Sequence, residues 1–511
     1  MRLPIGIQDF ELLRRANMVY VDKTELIAPL LAEGGRYFFA RPRRFGKSLL
    51  LSVMKAVFEG RKDLFKDLWL EEHFEFKARP VIRLDFSRLD FQGRSLEASL
   101  VDSFQQTAKE YGLTLQSNTP KSAFEELITK LSKIDQVVVL VDEYDQPITD
   151  FLFEPEKRNH HQTVLKSVYG VLKPLDGYLY QVFITGVSKI GKLSLFSDLN
   201  NIQDISLNPK FSTLCGYTSS EIERYFPDYL ENAATIFNVP MTELWNAIQY
   251  WYNGYSWDTV QKVYCSFSFL LFLENPEFKS HWYETGTPTF LIEMIKNAQI
   301  DPFSFENLHS DAQPLVATDV TNLDPIGLMF QTGYLTITKK IQSMVGTEYE
   351  LSYPNQEVRV AFSRGLLEEY SQLFPSTIGS FALELRKFLY AQDFTALFNR
   401  INQILASIPY EIFPKKETYA HSLLHLMFVS TGLRVQSQVQ TSTGRIDMLI
   451  EIQDQFLILE FKIGGSSEEA LRQIKDKEYA KGLSGKSIVG VGVVFDLGSK
   501  SILEWKHEVL S

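Results

Sequence analysis

Three short runs that are apolar almost from end to end constrain this chain most: Arg36–Ala40 (RYFFA), Val137–Val141 (VVVLV) and Gln181–Thr185 (QVFIT). A strand with water on one face alternates apolar and polar residues, so continuous runs are expected where helices cover both faces. Two more β-rich runs, Val81–Phe86 and Asp204–Leu207, complete the series. Longer helical stretches separate all five, which predicts βαβ units and a mostly parallel sheet within residues 1–210.

From about Ser219 to Arg400 the pattern changes to helices rich in aromatics, broken by turn-like stretches such as YNGYSW and ETGTPTF. After Ile408 the expected order is helix (Glu417–Ser430), strands Leu433–Gln440, Ile446–Ile452 and Phe456–Ile463, helix (Ser467–Lys481), strand (Ser487–Phe495). No fixed-period repeat or Gly/Ser tether appears. The expected organisation is an α/β core over 1–210, a helical middle region over 211–407 and a C-terminal domain over 408–511.

Composition matters here for what it excludes. Fifty-two Lys and Arg against 63 Asp and Glu give a net charge of −11, which rules out an all-over basic nucleic-acid coat but not a local groove. Cys215 and Cys265 are too few for a disulfide framework or a cysteine-built zinc site. The chain has no apolar run long enough for a transmembrane helix, and its start lacks the apolar core of a secretory signal. The expectation is a soluble, cytoplasmic protein with no membrane partner.

The segment RYFFARPRRFGKSLLLSVMKAVF (36–58) reads as strand, basic loop, then amphipathic helix opening at Gly46-Lys47-Ser48. A helix N-terminus offers unpaired N–H groups and a positive dipole end to a phosphate. Lysine would reach the β- and γ-phosphates and the serine hydroxyl would sit on Mg²⁺. The full phosphate-loop pattern would place glycine at position 41, where this chain has Arg41 followed by Pro42. A surface loop of Arg and Lys would give similar letters. About 95 residues on, VVVLVDEYDQP (137–147) delivers Asp142 and Glu143 at a strand's C-terminal end, where open α/β sheets bind ligands. Asp142 would hold Mg²⁺ and its water, and Glu143 would polarise the attacking water. Thr185, ending another strand, is either a γ-phosphate sensor or a satisfied buried threonine.

With these residues in view, seven blocks resemble the bacterial AAA-ATPase-like family: YVDKTELI (20–27), FARPRRFGKSLLLS (39–52), VVVLVDEYDQPI (137–148), FITGVSKIGKLSLFSDLNNIQDISL (183–207), LCGYTSSEI (214–222), WYNGYSW (251–257) and HWYETGTPTFL (281–291). They fall in the family's order over roughly residues 1–300. The resemblance implies that RPRRFGKS is a phosphate loop without its first glycine, with Arg43 and Arg44 as extra phosphate contacts. It also implies Gly46, Lys47 and Ser48 for ATP, and Asp142 with Glu143 for Mg²⁺ and water.

Near the C-terminus, GRIDMLIEIQDQFLILEFKIGG (444–465) reads as a hairpin. A turn at Gln453-Asp454 pairs Ile452 with Gln455 and sets Asp447 opposite Glu460, with Lys462 on the same face. Two opposed carboxylates repel unless a cation lies between them, and hard oxygen ligands suit Mg²⁺ or Mn²⁺. A neighbouring lysine can orient or deprotonate a water, completing a set for phosphodiester hydrolysis. The same letters also fit a solvated ladder of charges.

The order helix, three strands, helix, strand, with AHSLLHLMF (420–428), GRIDMLI (444–450), LILEFKIG (457–464) and ALRQIKDKEYA (470–480), resembles the PD-(D/E)XK nuclease superfamily. That implies a restriction-endonuclease-like α/β domain over about 410–511 with Asp447, Glu460 and Lys462 as its active set. Glu417 is the candidate helix acid, and Gln473 would help place DNA. Tyr479 lies six residues beyond Gln473 and would leave its helical face, so its role stays open. His421 and His425, at i and i+4, lack a third ligand and read as core or surface residues. Residues 408–511 carry 12 Lys and Arg against 13 Asp and Glu, so DNA contacts would come from a local patch supplied by Lys415, Lys416, Arg434, Arg445, Lys475, Lys477 and Lys481.

The leading functional expectation is an ATP-binding protein, an ATPase, coupled to a metal-dependent DNA phosphodiester hydrolase. The alternatives are an ATP-dependent switch or scaffold whose nuclease-like domain docks nucleic acid or protein without cleaving, and an ATPase with an inert appendage. A homo-oligomer or a further protein partner stays open, as does the source of any arginine finger.

Overall fold

The computed structural model describes residues 1–196, 199, 201–282, 289–298, 300, 302–306, 308–311, 323–409, 416–441, 444–483 and 485–510. It divides into two compact units. One comprises Met1–Trp282 with His309–Asn355, the other Tyr283–Leu308 with Gln356–Ser511. The middle region expected over 211–407 is thus shared between them. The ETGTPTF stretch lies largely outside the described residues, as does Lys415.

The first unit is built on five parallel strands: β1 (Gly35–Ala40), β2 (Val81–Asp85), β3 (Val137–Asp142), β4 (Leu179–Gly186) and β5 (Gln203–Asp204), in spatial order β2-β3-β4-β1-β5. All six residues of β3 are buried, as its unbroken apolar run predicts. Of the run at 204–207 only Asp204 is strand, because Ser206 turns inward and its hydroxyl accepts from the Ala40 N–H. Helices α1 (Lys47–Phe58), α2 (Leu96–Glu110), α3 (Pro120–Leu131) and α4 (Pro155–Tyr169) follow the strands, with α1 packed on β2 and β3. Because β4 lies between β1 and β3, the strand before Arg41 and the Asp142 strand flank a third strand whose last two residues are Thr185 and Gly186.

The later part of this unit is helical. Helices α5 (Pro227–Phe237), α6 (Met241–Tyr252) and α7 (Ser266–Glu274) close an aromatic core around Phe226, Tyr252, Phe269 and Phe272. Two short strands, β6 (Asn253–Tyr255) and β7 (Val263–Tyr264), helix α8 (Pro325–Thr332) and the hairpin β8 (Thr336–Gln342) and β9 (Thr347–Ser352) complete it.

The second unit contains helices α9 (Gln356–Ser371), α10 (Pro375–Ala391), α11 (Phe394–Ser407) and α12 (Glu417–Ser430), and a mixed five-stranded sheet. Its strands run in order β10 (Arg434–Gln440), β11 (Arg445–Ile452), β12 (Gln455–Ile463), β13 (Ser487–Asp496) and β14 (Ser501–Val509). Only β12 and β13 are parallel, and α13 (Ser467–Asp476) connects them. Two expectations are corrected here. The helix expected to run to Lys481 ends at Asp476, where Glu478 turns left-handed at φ 51°. The edge strand β14, whose residues are mostly exposed, was not expected. Among the described residues no helix is long and apolar enough to cross a membrane.

Candidate nucleotide and carboxylate sites

At the carboxyl edge of the first sheet, Gly46 caps α1 at φ 96°, a left-handed position that suits glycine. Lys47 is buried, and its ammonium donates to the Arg41 and Pro42 carbonyls at 2.9 and 3.0 Å. Burial lowers its pKa, against the pull of Glu143 and Asp142. Ser48 follows, partly buried. Arg41, at the position of the full pattern's first glycine, is 1% exposed and turned inward. Its guanidinium donates to Ser206 O at 2.7 Å and Phe211 O at 3.3 Å and lies 3.9 Å from the Trp257 ring centroid. It is therefore an internal brace. Arg43 is exposed, and its charge partly opposes the burial that raises the pKa of Glu143 and Asp150. Arg44 lies over the Phe267 ring.

Asp142 is 1% exposed; its Oδ1 accepts from the Thr185 hydroxyl at 2.7 Å, which joins two residues predicted separately. Its Oδ2 is buried with no hydrogen-bond partner among the described residues, and Arg83 stands 3.8 Å away. An orphaned carboxylate oxygen at this edge fits a cation such as Mg²⁺. Glu143 sits at φ 52°, and burial raises its pKa, as suits a group that receives a proton. Asp145 carried no signal beyond its acidity. It is buried and accepts from Val187 N, Ser188 N and Ser188 Oγ, so the β3 turn is tied to the loop after β4. A cavity of about 70 Å³, lined by Tyr20, Lys23, Phe45, Leu49 and Tyr217, opens beside Gly46.

In the second unit, β11 and β12 pair in the expected register from Ile452–Gln455 to Met448–Leu459. The ladder stops there, one position short of the expected opposition of Asp447 and Glu460. The β10–β11 ladder also skips this position, between Ser437–Met448 and Val439–Ile446, where Gln438 turns to φ 57°. Asp447 thus sits in a fork. Its Oδ2 accepts from Phe461 N at 2.9 Å and Gln438 Nε2 lies 3.5 Å from its Oδ1, so the carboxylate replaces the lost ladder bond.

Glu460 is 2% exposed, and Lys462 Nζ lies 3.6 Å from its Oε1. Gln473 on α13 bridges the two, donating to Glu460 Oε1 and accepting from Lys462. It comes this close because α13 passes over Gly492, where a Cβ would lie 2.3 Å from Ser467 O. Glu460 Oε2 is buried and without a hydrogen-bond partner among the described residues, again a position that fits a hard cation. Among the described residues no three His, Cys, Asp or Glu side chains gather as metal ligands. A cation here would rest on Asp447 and Glu460 and complete its shell with water, the usual habit of Mg²⁺.

The other predicted residues divide. Glu417 is exposed, 3.9 Å from His421 Nε2, and no hydrogen bond or ion pair among the described residues ties it to the fork. His425 is buried and held by Ser437 Oγ at 2.7 Å, and burial keeps it neutral, as expected of a core histidine. Because α13 ends early, Tyr479 folds back against Gln473, with its hydroxyl donating to Arg445 O at 2.8 Å. The helical spacing rule that set Tyr479 aside did not apply across the break.

Burial, with Asp447 second, raises the Glu460 pKa to about 7. A carboxyl raised above its unfolded value of 4.5 stabilises the metal-free fold at low pH, and this is lost as pH rises through about 7. Glu460→Gln should flatten that decline by on the order of 1–3 kcal/mol between about pH 5 and about pH 8. Urea melts across that range check it; an unchanged slope would mean that Glu460 is ionised throughout.

Comparison with known proteins adds three matches. Residues 4–196 match the AAA-ATPase-like family, described as "Predicted AAA-ATPase". Residues 415–505 match the PD-(D/E)XK nuclease superfamily. A protein of Azotobacter chroococcum mcd 1, described as "Uncharacterized protein in vnfD 5'region", is 34% identical over 523 residues, covering 100% of this chain and 99% of that protein.

Proposed function

Because the chain belongs to the AAA-ATPase-like family and carries a C-terminal domain of the PD-(D/E)XK nuclease superfamily, we propose that it binds and hydrolyses ATP and cleaves DNA phosphodiester bonds. At the first site Lys47 reaches the nucleotide phosphates from its seat on the Arg41 and Pro42 carbonyls, with Arg43 alongside. Ser48 and Asp142 would hold Mg²⁺, Thr185 orients Asp142, and Glu143 takes the proton of the attacking water.

The observation that carries the nuclease reading is the fork itself. Asp447, Glu460 and Lys462 converge where both ladders break, and a buried Glu460 oxygen is left without a partner. Asp447 and Glu460 would hold Mg²⁺ or Mn²⁺, which when bound polarises the scissile phosphoryl group. Lys462, released from Gln473, orients the water. Gln473 then faces the DNA, and Glu417 supplies a further acid from α12. The test is Mg²⁺-dependent cleavage of plasmid and single-stranded DNA by the full chain. DNA binding without any cleavage would favour a docking role.

ATP-binding and nuclease-like segments share one chain with no Gly/Ser tether, a connection that can transmit a nucleotide-dependent shift. Cleavage rate or DNA affinity should therefore differ between ADP, ATP and a slowly hydrolysed analogue by about 5–150-fold, the usual range of coupling between sites. Equal values in all nucleotide states would mean two independent activities.

A further inference from the structure

The phosphate loop is held in shape from outside. Each residue from Arg41 to Phe45 is gripped by a segment much later in the chain. Arg41 is bound by Ser206 and Phe211 carbonyls, and Arg44 O accepts from Ser266 Oγ at 3.1 Å. The Phe45 ring packs edge-on against Tyr255 and Trp257, and Gly216 N donates to Phe45 O at 3.2 Å.

Pro42 and Arg43 have the most distant partners. Trp282 Nε1 donates to Arg43 O at 3.4 Å, and the Trp282 ring meets Tyr334 edge-on at 5.0 Å. Gly333, ending α8 at φ 91°, packs so closely that a Cβ there would lie 2.8 Å from Pro42 Cβ and Cγ. Two residues earlier, Gln331 is buried and its Oε1 accepts from Lys189 N at 2.7 Å, on the loop after β4. Trp282 and the end of α8 therefore touch both loops that would meet a γ-phosphate.

A glycine-first loop can wrap a phosphate through its own backbone freedom. This loop has Arg41 and a φ-locked Pro42 instead, and Arg44 sits left-handed at φ 71°. A non-glycine residue keeps that conformation only where its surroundings over-determine it. Pro42 O is also one of the two carbonyls that seat the Lys47 ammonium. Whatever holds Pro42 thus holds the cation that meets the phosphates.

We propose that Trp282, Gln331 and Gly333 are positioning residues for nucleotide, clamping the phosphate loop and the loop after β4 into their binding geometry. The proposal rests on the phosphate-site reading above. It adds that the site is incomplete without the end of α8.

The test is calorimetric titration of the full chain with Mg·ATP, alongside its melting midpoint. Gly333→Ala should weaken Mg·ATP about tenfold or more, since its methyl must displace Pro42. Trp282→Phe, which keeps a ring and loses one donor, should weaken it about two- to tenfold; it also carries the test if Gly333→Ala does not fold. Gly34→Ala is the comparison. It sits at φ 62°, 2.7 Å from Tyr180 O, before the start of β1 and away from the loop. It should lower the melting midpoint while leaving affinity within about twofold. This split between affinity and stability is what a merely structural role would not produce. Unchanged affinity in Trp282→Phe and Gly333→Ala, or an equal loss in Gly34→Ala, overturns the clamp. Unchanged affinity in Lys47→Ala instead overturns the phosphate site itself, so the two failures are distinguishable.

Discussion

Glu460→Ala and Lys462→Ala are each expected to reduce Mg²⁺-dependent cleavage of DNA by the full chain about 10²–10⁴-fold, the range for losing a positioned acid–base group. Glu460 is the buried carboxylate of the fork, and its Oε2 has no other partner, so its removal deletes a proposed metal contact. Lys462→Ala loses the ammonium that stands 3.6 Å from Glu460 Oε1. Both variants should keep the ATP affinity of the native chain, since Glu460 and Lys462 lie in a different unit from Lys47 and Asp142. Mn²⁺ affinity, measured by calorimetry, should fall in Glu460→Ala and be nearly retained in Lys462→Ala, because only the first removes a proposed ligand. Native-like cleavage by either variant would discard the Asp447–Glu460–Lys462 assignment.

Lys47→Ala should weaken ATP binding about 10- to 150-fold, equivalent to about 1.5–3 kcal/mol for losing a charged hydrogen-bond donor. Glu143→Gln should bind ATP normally and turn it over slowly, since it keeps the shape of the side chain and removes the proton acceptor. Equilibrium binding and single-turnover hydrolysis separate the two. If Lys47→Ala retains native affinity, the Gly46-Lys47-Ser48 helix start is not the phosphate site.

Much of both sites was legible because their signals are local. The apolar run before Asp142 required a strand covered on both faces, and its last residue had to emerge at the carboxyl edge. The turn at Gln453-Asp454 set the β11–β12 register by itself, since a one-residue slip would move every side chain to the opposite face. That register brought Asp447 and Glu460 towards one place before any tertiary contact was known. It did not show that the ladder breaks there. Nor did it show that the pairing of Asp447 is also skipped on its other side, where Gln438 turns left-handed.

Side chains whose partners lie far along the chain were not legible in this way. Arg41 reads as a surface cation or a phosphate ligand, yet Ser206, Phe211 and Trp257 enclose it. Tyr479 reads as off the helix face, but a left-handed Glu478 ends α13 and returns the ring to Gln473. Nothing near Gly333 or Trp282 announces that they rest on Pro42 and Arg43. Hydrophobic period and turn chemistry act over a few residues and settled which elements form and which edge carries the charged groups. Which distant side chain fills a given gap depends on how all elements pack at once, and only the tertiary structure decided that.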